Sequence, residues 1–336
     1  MSFSPVETLV ILALSAALVL AQEAKPRYDQ PLGIGFESYA YPQPVSFLPL
    51  EIEGQKVRMA YMDVKPTTAN GKTVVLLHGK NFFGAYWKST ITALTGRGYR
   101  VVVPDQIGFG KSSKPDIEYS FDLLAANTLK LLDELKIEKA AVVGHSMGGM
   151  LAVRFARNYP TRTSGLILEN PIGLEDYRFS IPPRTDEEVY TGEMAQTEAK
   201  VRDYFTTYLA KPNPALLESY VEAQSRVMLS AEWPRYAKAS ASTYQMIYRQ
   251  PVRHEFGLIK VPTLLVIGQA DRTAVGKAFA PAELRPKLGN YPVLGREAAR
   301  DIPGAKLVEI ENVGHIPHLE SADRFQDALI NFVSER

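Results

Sequence analysis

The sequence predicts an α/β architecture: a mostly parallel twisted sheet with helices on both faces, carrying a helical insertion. Three observations predict it. Short continuous β-branched runs alternate with stretches of helical periodicity along most of the chain. The pentapeptide Gly144-His145-Ser146-Met147-Gly148 falls between one such run and one such helix. Residues 171–255 interrupt the alternation with helical patterns and no convincing strand.

The elements follow in order. Pro44–Ile52 and Lys56–Val64 flank Glu53-Gly54-Gln55, and apolar residues alternate at Val57, Met59 and Tyr61. That period of two predicts a hairpin with one face exposed. From Thr73 the pattern changes. Thr73–Leu77, Tyr99–Val103, Ala140–Val143, Gly165–Leu168, Thr263–Ile267 and Ala305–Ile310 are runs of the kind that strands buried on both faces require. Helical spacing appears over Tyr86–Thr95, Phe121–Leu135, Met147–Asn158 and Ser321–Val333. The core is therefore expected over 44–170 and 256–336. The insertion at 171–255 is punctuated by Pro171, Pro182, Pro183, Pro212, Pro214, Pro234 and Pro251. Residues 22–43, rich in Pro, Gly and Tyr, are expected to be irregular.

Leu9–Leu20 is an unbroken apolar run. It is shorter than the ~20 residues that span a membrane and has the length of an export signal's apolar region. Val19-Leu20-Ala21 would precede a cut at Gln22. Residues 2–8 hold no Lys or Arg, and Glu7 is acidic, so positive charge there rests on the amino terminus. Residues 1–21 are expected to be a cleaved signal, giving a periplasmic or secreted protein with no stable membrane span. An uncleaved anchor and a buried helix are the alternatives.

Composition narrows the function classes. Of 336 residues, 46% are apolar and 22% charged, ordinary proportions for a globular protein. A net charge of +1 gives no broad field for nucleic acid or an acidic partner. With no cysteine in the chain, disulfides, thiolate metal sites and a cysteine nucleophile are excluded.

The pentapeptide at 144–148 has the G-x-S-x-G form of a nucleophile elbow in its strand–turn–helix context. Such a turn is so tight that side chains at 144 and 148 would collide with backbone. It would lift the Ser146 hydroxyl above the sheet, beside the positive end of the helix that starts at Met147. A serine hydroxyl needs a base. Of the five histidines, His315 follows the run Ala305–Ile310 by a short loop, at the carboxyl edge of the sheet. His318 is its competitor. His145 should point away from Ser146, His78 should support the loop after Leu77, and His254 has no motif around it. The base needs a carboxylate to fix its tautomer. Asp271 follows the run Thr263–Ile267, and Glu169, at the end of the preceding run, is the rival. The chain order Ser146, Asp271, His315 is nucleophile, acid, base. The oxyanion donors are expected to be the backbone N–H groups of Met147 and of Lys80, with Asn81 second. This chemistry calls for no metal or cofactor.

His78-Gly79, Gly108-Phe109-Gly110-Lys111-Ser112 after Pro104-Asp105, the elbow, Gly268-x-x-Asp271 and Gly314-His315-x-x-x-x-Glu320 occur together in one order. In this set the chain resembles the α/β-hydrolase superfamily, specifically its capped lipase/esterase-like and C–C-hydrolase-like members, over about residues 45–335. The resemblance implies the α/β-hydrolase fold, a serine hydrolase, and a helical cap at 171–255 over the pocket. Members that dehalogenate or open epoxides carry Asp where this chain has Ser146. Arg272–Pro303 is longer than the resemblance leads one to expect and is a candidate extra lobe of the pocket.

The expected reaction is hydrolysis of an apolar acyl or aryl ester through an acyl-enzyme. C–C bond or peptide hydrolysis, cofactor-free haloperoxidase or perhydrolase chemistry, and a non-enzymatic binding role are the alternatives. A peptidase would need a cap carboxylate, for which Glu187, Glu188, Glu193 and Glu198 are candidates. The apolar pocket is expected from the insertion's aromatic content: Tyr177, Tyr190, Tyr204, Tyr208, Tyr220, Tyr236, Tyr244, Tyr248, Phe179, Phe205 and Trp233.

Overall fold

Alternation in the first hairpin and continuity in the later runs give two kinds of strand. A computed structural model of the protein describes residues 28–336. β1 (Ser46–Ile52) and β2 (Gln55–Val64) form the hairpin, paired antiparallel from Ser46 opposite Tyr61 to Ile52 opposite Gln55. Glu53 and Gly54 take positive φ at its turn. β3 (Thr73–Leu77), β4 (Arg100–Pro104), β5 (Ala140–His145), β6 (Thr163–Glu169) and β7 (Thr263–Gly268) are almost wholly buried. β8 (Lys306–Ile310) closes the edge and is mostly accessible. The strand order is β1-β2-β4-β3-β5-β6-β7-β8, with every pair from β4 to β8 parallel.

Parallel neighbours need crossovers, and helices supply them. These are α1 (Lys88–Thr95), α2 (Phe121–Glu134) and α3 (Met147–Asn158). Ser120 caps α2 by accepting the Leu123 N–H at 3.0 Å. The helical spacing read from Tyr86 begins as a 3-10 turn, Gly84–Trp87, before α1. Between β6 and β7 come α4 (Asp186–Met194), α5 (Glu198–Thr206), α6 (Pro214–Val227) and α7 (Trp233–Arg249), with no strand among them. α4 packs on α7, and α5 on α6.

The stretch Arg272–Pro303 differs from the expected lobe. It contains α8 (Tyr291–Asp301), a helix the sequence reading missed, which packs on β7 and β8. Gly295 allows this approach: a Cβ there would sit 3.0 Å from Ile267 Cγ1. Much of the stretch is thus the crossover that parallel β7 and β8 require. The chain ends in α9 (Pro317–Glu320) and α10 (Ala322–Ser334).

Pro31–Arg336 form one unit. The expected signal, residues 1–21, lies outside the described residues. Among the described residues, no helix is long and apolar enough to cross a membrane. The loop after β4 turns about buried Asp105, which accepts from Gly84 N–H, Lys111 N–H and Tyr41 Oη at 2.6–2.8 Å.

Candidate active site

The sheet's carboxyl edge gathers the loops after β3, β5, β7 and β8. β5 ends at His145 and α3 starts at Met147, so Ser146 alone makes the turn. Its backbone sits at φ 55°, ψ −119°, a strained conformation for a residue with a Cβ. Two glycines permit it. A Cβ on Gly144 would lie 2.1 Å from Gly148 O, and one on Gly148 would lie 2.2 Å from Leu77 O.

Ser146 Oγ lies 2.9 Å from His315 Nε2, and His315 Nδ1 lies 2.7 Å from Asp271 Oδ2. The carboxylate makes Nδ1 the donor, so Nε2 is free to accept the serine proton. All three side chains are buried; Ser146 keeps 7% of its surface. Burial alone would raise the Asp271 carboxyl. His315, Asn170 and the Thr273 side chain outweigh that and hold it below the ordinary carboxylate range. Asn170 Nδ2 donates to Asp271 Oδ2 at 2.7 Å, while Asn170 Oδ1 accepts the Gly268 N–H at 2.8 Å. One side chain therefore ties the acid to the end of its own strand.

The other candidates take different places. Glu169 accepts from His318 twice, from its N–H at 2.7 Å and its Nδ1 at 2.9 Å. Burial raises the Glu169 carboxyl to about 7 and pushes the His318 imidazole well below its ordinary value. His318 lies flat on Trp87, ring centroids 4.1 Å apart. His145 turns from the Ser146 hydroxyl: Nε2 donates to His315 O at 2.7 Å, and Nδ1 is left to accept from Tyr86 Oη at 3.1 Å. His78 Nδ1 donates to Gly79 O, and its Nε2 accepts the Gln106 N–H at 3.0 Å. His254 sits exposed beside Glu255.

The loop after β3 lies against Ser146. A Cβ on Gly79 would come 3.0 Å from Ser146 Cβ. Tyr86 Oη already takes the Gly79 N–H at 2.9 Å. The turn that follows, which contains Lys80 and Asn81, is closed by Phe82 N–H donating to Gly79 O at 3.1 Å. Met147 opens α3, so its N–H is among the first-turn donors that a helix leaves unpaired. Lys80 Nζ reaches into the insertion, donating to Ser240 O and Oγ at 3.0 and 2.8 Å, and lies 3.8 Å from Glu193.

Of the four candidate carboxylates Glu187, Glu188, Glu193 and Glu198, Glu193 is the one that approaches this loop. Glu188 caps its own helix at Thr185, Glu198 pairs with Arg202, and Glu187 accepts from Thr191. The aromatic set divides as well. Phe205 and Tyr208 are buried, whereas Phe179 is 85% exposed. Among the described residues, no cluster of His and carboxylates could hold a metal ion.

The family model for the alpha/beta hydrolase fold matches residues 72–322. The chain belongs to the α/β-hydrolase family. The α/β-hydrolase also superposes on the crystal structure of a probable hydrolytic enzyme from Pseudomonas aeruginosa PAO1. That match has a TM-score of 0.88 and 44% identity, covering 91% of this chain and 99% of the other. It is 29% identical over 279 residues to a 2-hydroxy-6-oxo-6-phenylhexa-2,4-dienoate hydrolase of Burkholderia cepacia, covering 79% of this chain and 88% of the relative. The enzyme of that name from Comamonas testosteroni is 30% identical over 281 residues, covering 79% and 89%.

Asn170 and Tyr86 were not predicted as site residues; Tyr208 was expected only as one of the insertion's aromatics and Glu320 only as the end of the Gly314-His315-x-x-x-x-Glu320 motif. Asn170 had one available signal, a polar side chain directly after strand β6 at the carboxyl edge. Tyr86 carries none, because its role arises only when distant loops meet.

Proposed function

We propose that this α/β-hydrolase cleaves a carboxylic ester through an acyl-enzyme. Ser146 is the nucleophile, His315 the base and then the acid, and Asp271 the group that fixes the His315 tautomer. The observation that carries this reading is the unbroken chain Ser146 Oγ, His315 Nε2, His315 Nδ1, Asp271 Oδ2, with links of 2.9 and 2.7 Å. His315 takes the serine proton as Oγ attacks the carbonyl, then returns it to the leaving alcohol. A water repeats the sequence and frees Ser146. The oxyanion is received by the N–H groups of Met147 and Lys80. Each such donor contributes on the order of 3 kcal/mol of transition-state stabilisation. The helical insertion acts as the cap over the pocket and sets substrate choice.

The dienoate hydrolases among the relatives support a second reading, cleavage of a C–C bond beside a carbonyl on the same residues. Their substrates carry a carboxylate. The ammonium nearest in sequence to the elbow's facing loop, Lys80 Nζ, is engaged by Ser240 and lies near Glu193. That favours an uncharged substrate. The Lys80–Glu193 approach also engages the one of the four candidate carboxylates that comes near this loop, which speaks against a peptide amine there. The test is kcat/KM for nitrophenyl esters of graded acyl length beside a 2-hydroxy-6-oxo-dienoate. Esters are expected to be turned over better, with an optimum at intermediate or aromatic acyl groups. A dienoate preference of tenfold or more moves the reading to C–C hydrolysis.

A further inference from the structure

Two parts of the proposed machinery lie on loops far apart in the chain, the base after β8 and one of the two oxyanion donors, the Lys80 N–H, after β3. One residue of the insertion touches both. The Tyr208 ring lies on the His315 imidazole, centroids 4.8 Å apart and planes 26° from parallel. The Tyr208 carbonyl accepts the His315 N–H at 2.6 Å. At the far end of the ring, Tyr208 Oη accepts from Asn81 Nδ2 at 2.8 Å. Asn81 follows Lys80, and its own carbonyl accepts from Gln224 Nε2 of α6 at 2.9 Å.

The contact is built in. Glu320 holds the two chain segments together, accepting the Ala210 N–H at 2.8 Å and the Gly314 N–H at 2.6 Å. Gly314 lets them close up, since a Cβ there would lie 2.3 Å from Tyr208 O. Tyr208 is 5% exposed, and burial raises its hydroxyl well above the ordinary value, so Oη stays protonated.

We infer that Tyr208 is a positioning residue that ties the general base to the oxyanion loop, so that the insertion sets the geometry of both. The inference rests on the serine-hydrolase reading above. Its physical basis is that a donor displaced by a fraction of an ångström loses much of its hold on the oxyanion. The aromatic face against His315 also favours the imidazolium that forms during attack.

Tyr208→Phe keeps the ring and the carbonyl and removes the bond to Asn81 together with the hydroxyl's hydrogen bond to Tyr204, which Tyr204→Phe removes alone as the control. Its kcat on a nitrophenyl ester is expected to fall about tenfold, with KM unchanged within about twofold. Affinity for an arylboronic acid, whose tetrahedral adduct puts an oxygen in the oxyanion site, is expected to fall by a similar factor. Affinity for the planar carboxylate product is expected to hold. Asn81→Leu removes the same bond from the other side, and the double variant is expected to be no worse than either single one. A Tyr208→Phe enzyme with kcat and boronate affinity within twofold of wild type overturns the inference, as do fully additive losses in the double variant. If wild-type Ser146 does not react with a fluorophosphonate, the serine reading itself fails, a result separable from either of these.

Discussion

Glu169 holds His318, not His315. Its carboxylate takes both the backbone N–H and the Nδ1 of His318, at 2.7 and 2.9 Å. Asp271 instead lies 2.7 Å from His315 Nδ1. Two acid–imidazole pairs therefore stand side by side, and only one includes a ring whose other nitrogen reaches a serine. Asp271→Asn is expected to lower kcat by about 10⁴, because it removes the charge opposite the imidazolium and permits the wrong tautomer. Glu169→Gln is expected to stay within about tenfold of wild type, since Gln can accept the same two bonds. Steady-state kinetics of the two purified variants checks this, and a crippled Glu169→Gln beside an active Asp271→Asn reverses the assignment.

Glu169 should instead register in stability. Burial raises its carboxyl from 4.5 to about 7. An acid whose folded pKa is raised favours the fold while protonated. That contribution is whole below pH 4.5 and is lost as pH climbs through 7. Gln cannot ionise. Between pH 5 and pH 8 the Glu169→Gln variant is thus expected to gain stability relative to wild type, by up to about 3 kcal/mol. Paired melting curves at the two pH values measure the gain, and identical shifts for both proteins contradict it.

The elbow gives a steric prediction. A Cβ at Gly148 would meet Leu77 O at 2.2 Å and His78 O at 2.7 Å, backbone atoms at the end of β3 and the start of the loop that faces Ser146. Gly148→Ala must move that loop or the start of α3. Activity is expected to fall at least 10²-fold, with a lower melting temperature, since small misplacements are costly at a reacting centre. A variant that keeps both activity and stability shows that the turn is less tight than described.

Strands buried on both faces have to read as continuous apolar runs, and β3 to β7 are visible in the sequence for that reason. The elbow was visible because its turn admits so few residue types. What stayed hidden has no such constraint. Asn170 bonds an acid 101 residues away, and Tyr208 reaches Asn81 across 127. An Asn or Tyr at those positions satisfies ordinary packing equally well, so no local pattern marks it. The helix α8 was missed because its buried face carries no run of bulky apolar side chains: it buries chiefly Tyr291, Gly295 and Ala298.

The most direct test of the account is to trap the acyl-enzyme. A nitrophenyl ester mixed with the protein and acid-quenched within milliseconds should leave one acyl group on the peptide that contains Ser146, read by mass. A burst of nitrophenol close to one equivalent should accompany it where deacylation is slower than acylation. Ser146→Ala should show neither, and His315→Ala should acylate more slowly by on the order of 10⁴ or more. Acyl mass on another residue, or turnover by Ser146→Ala above a few per cent of wild type, would contradict the proposal that Ser146 is the nucleophile.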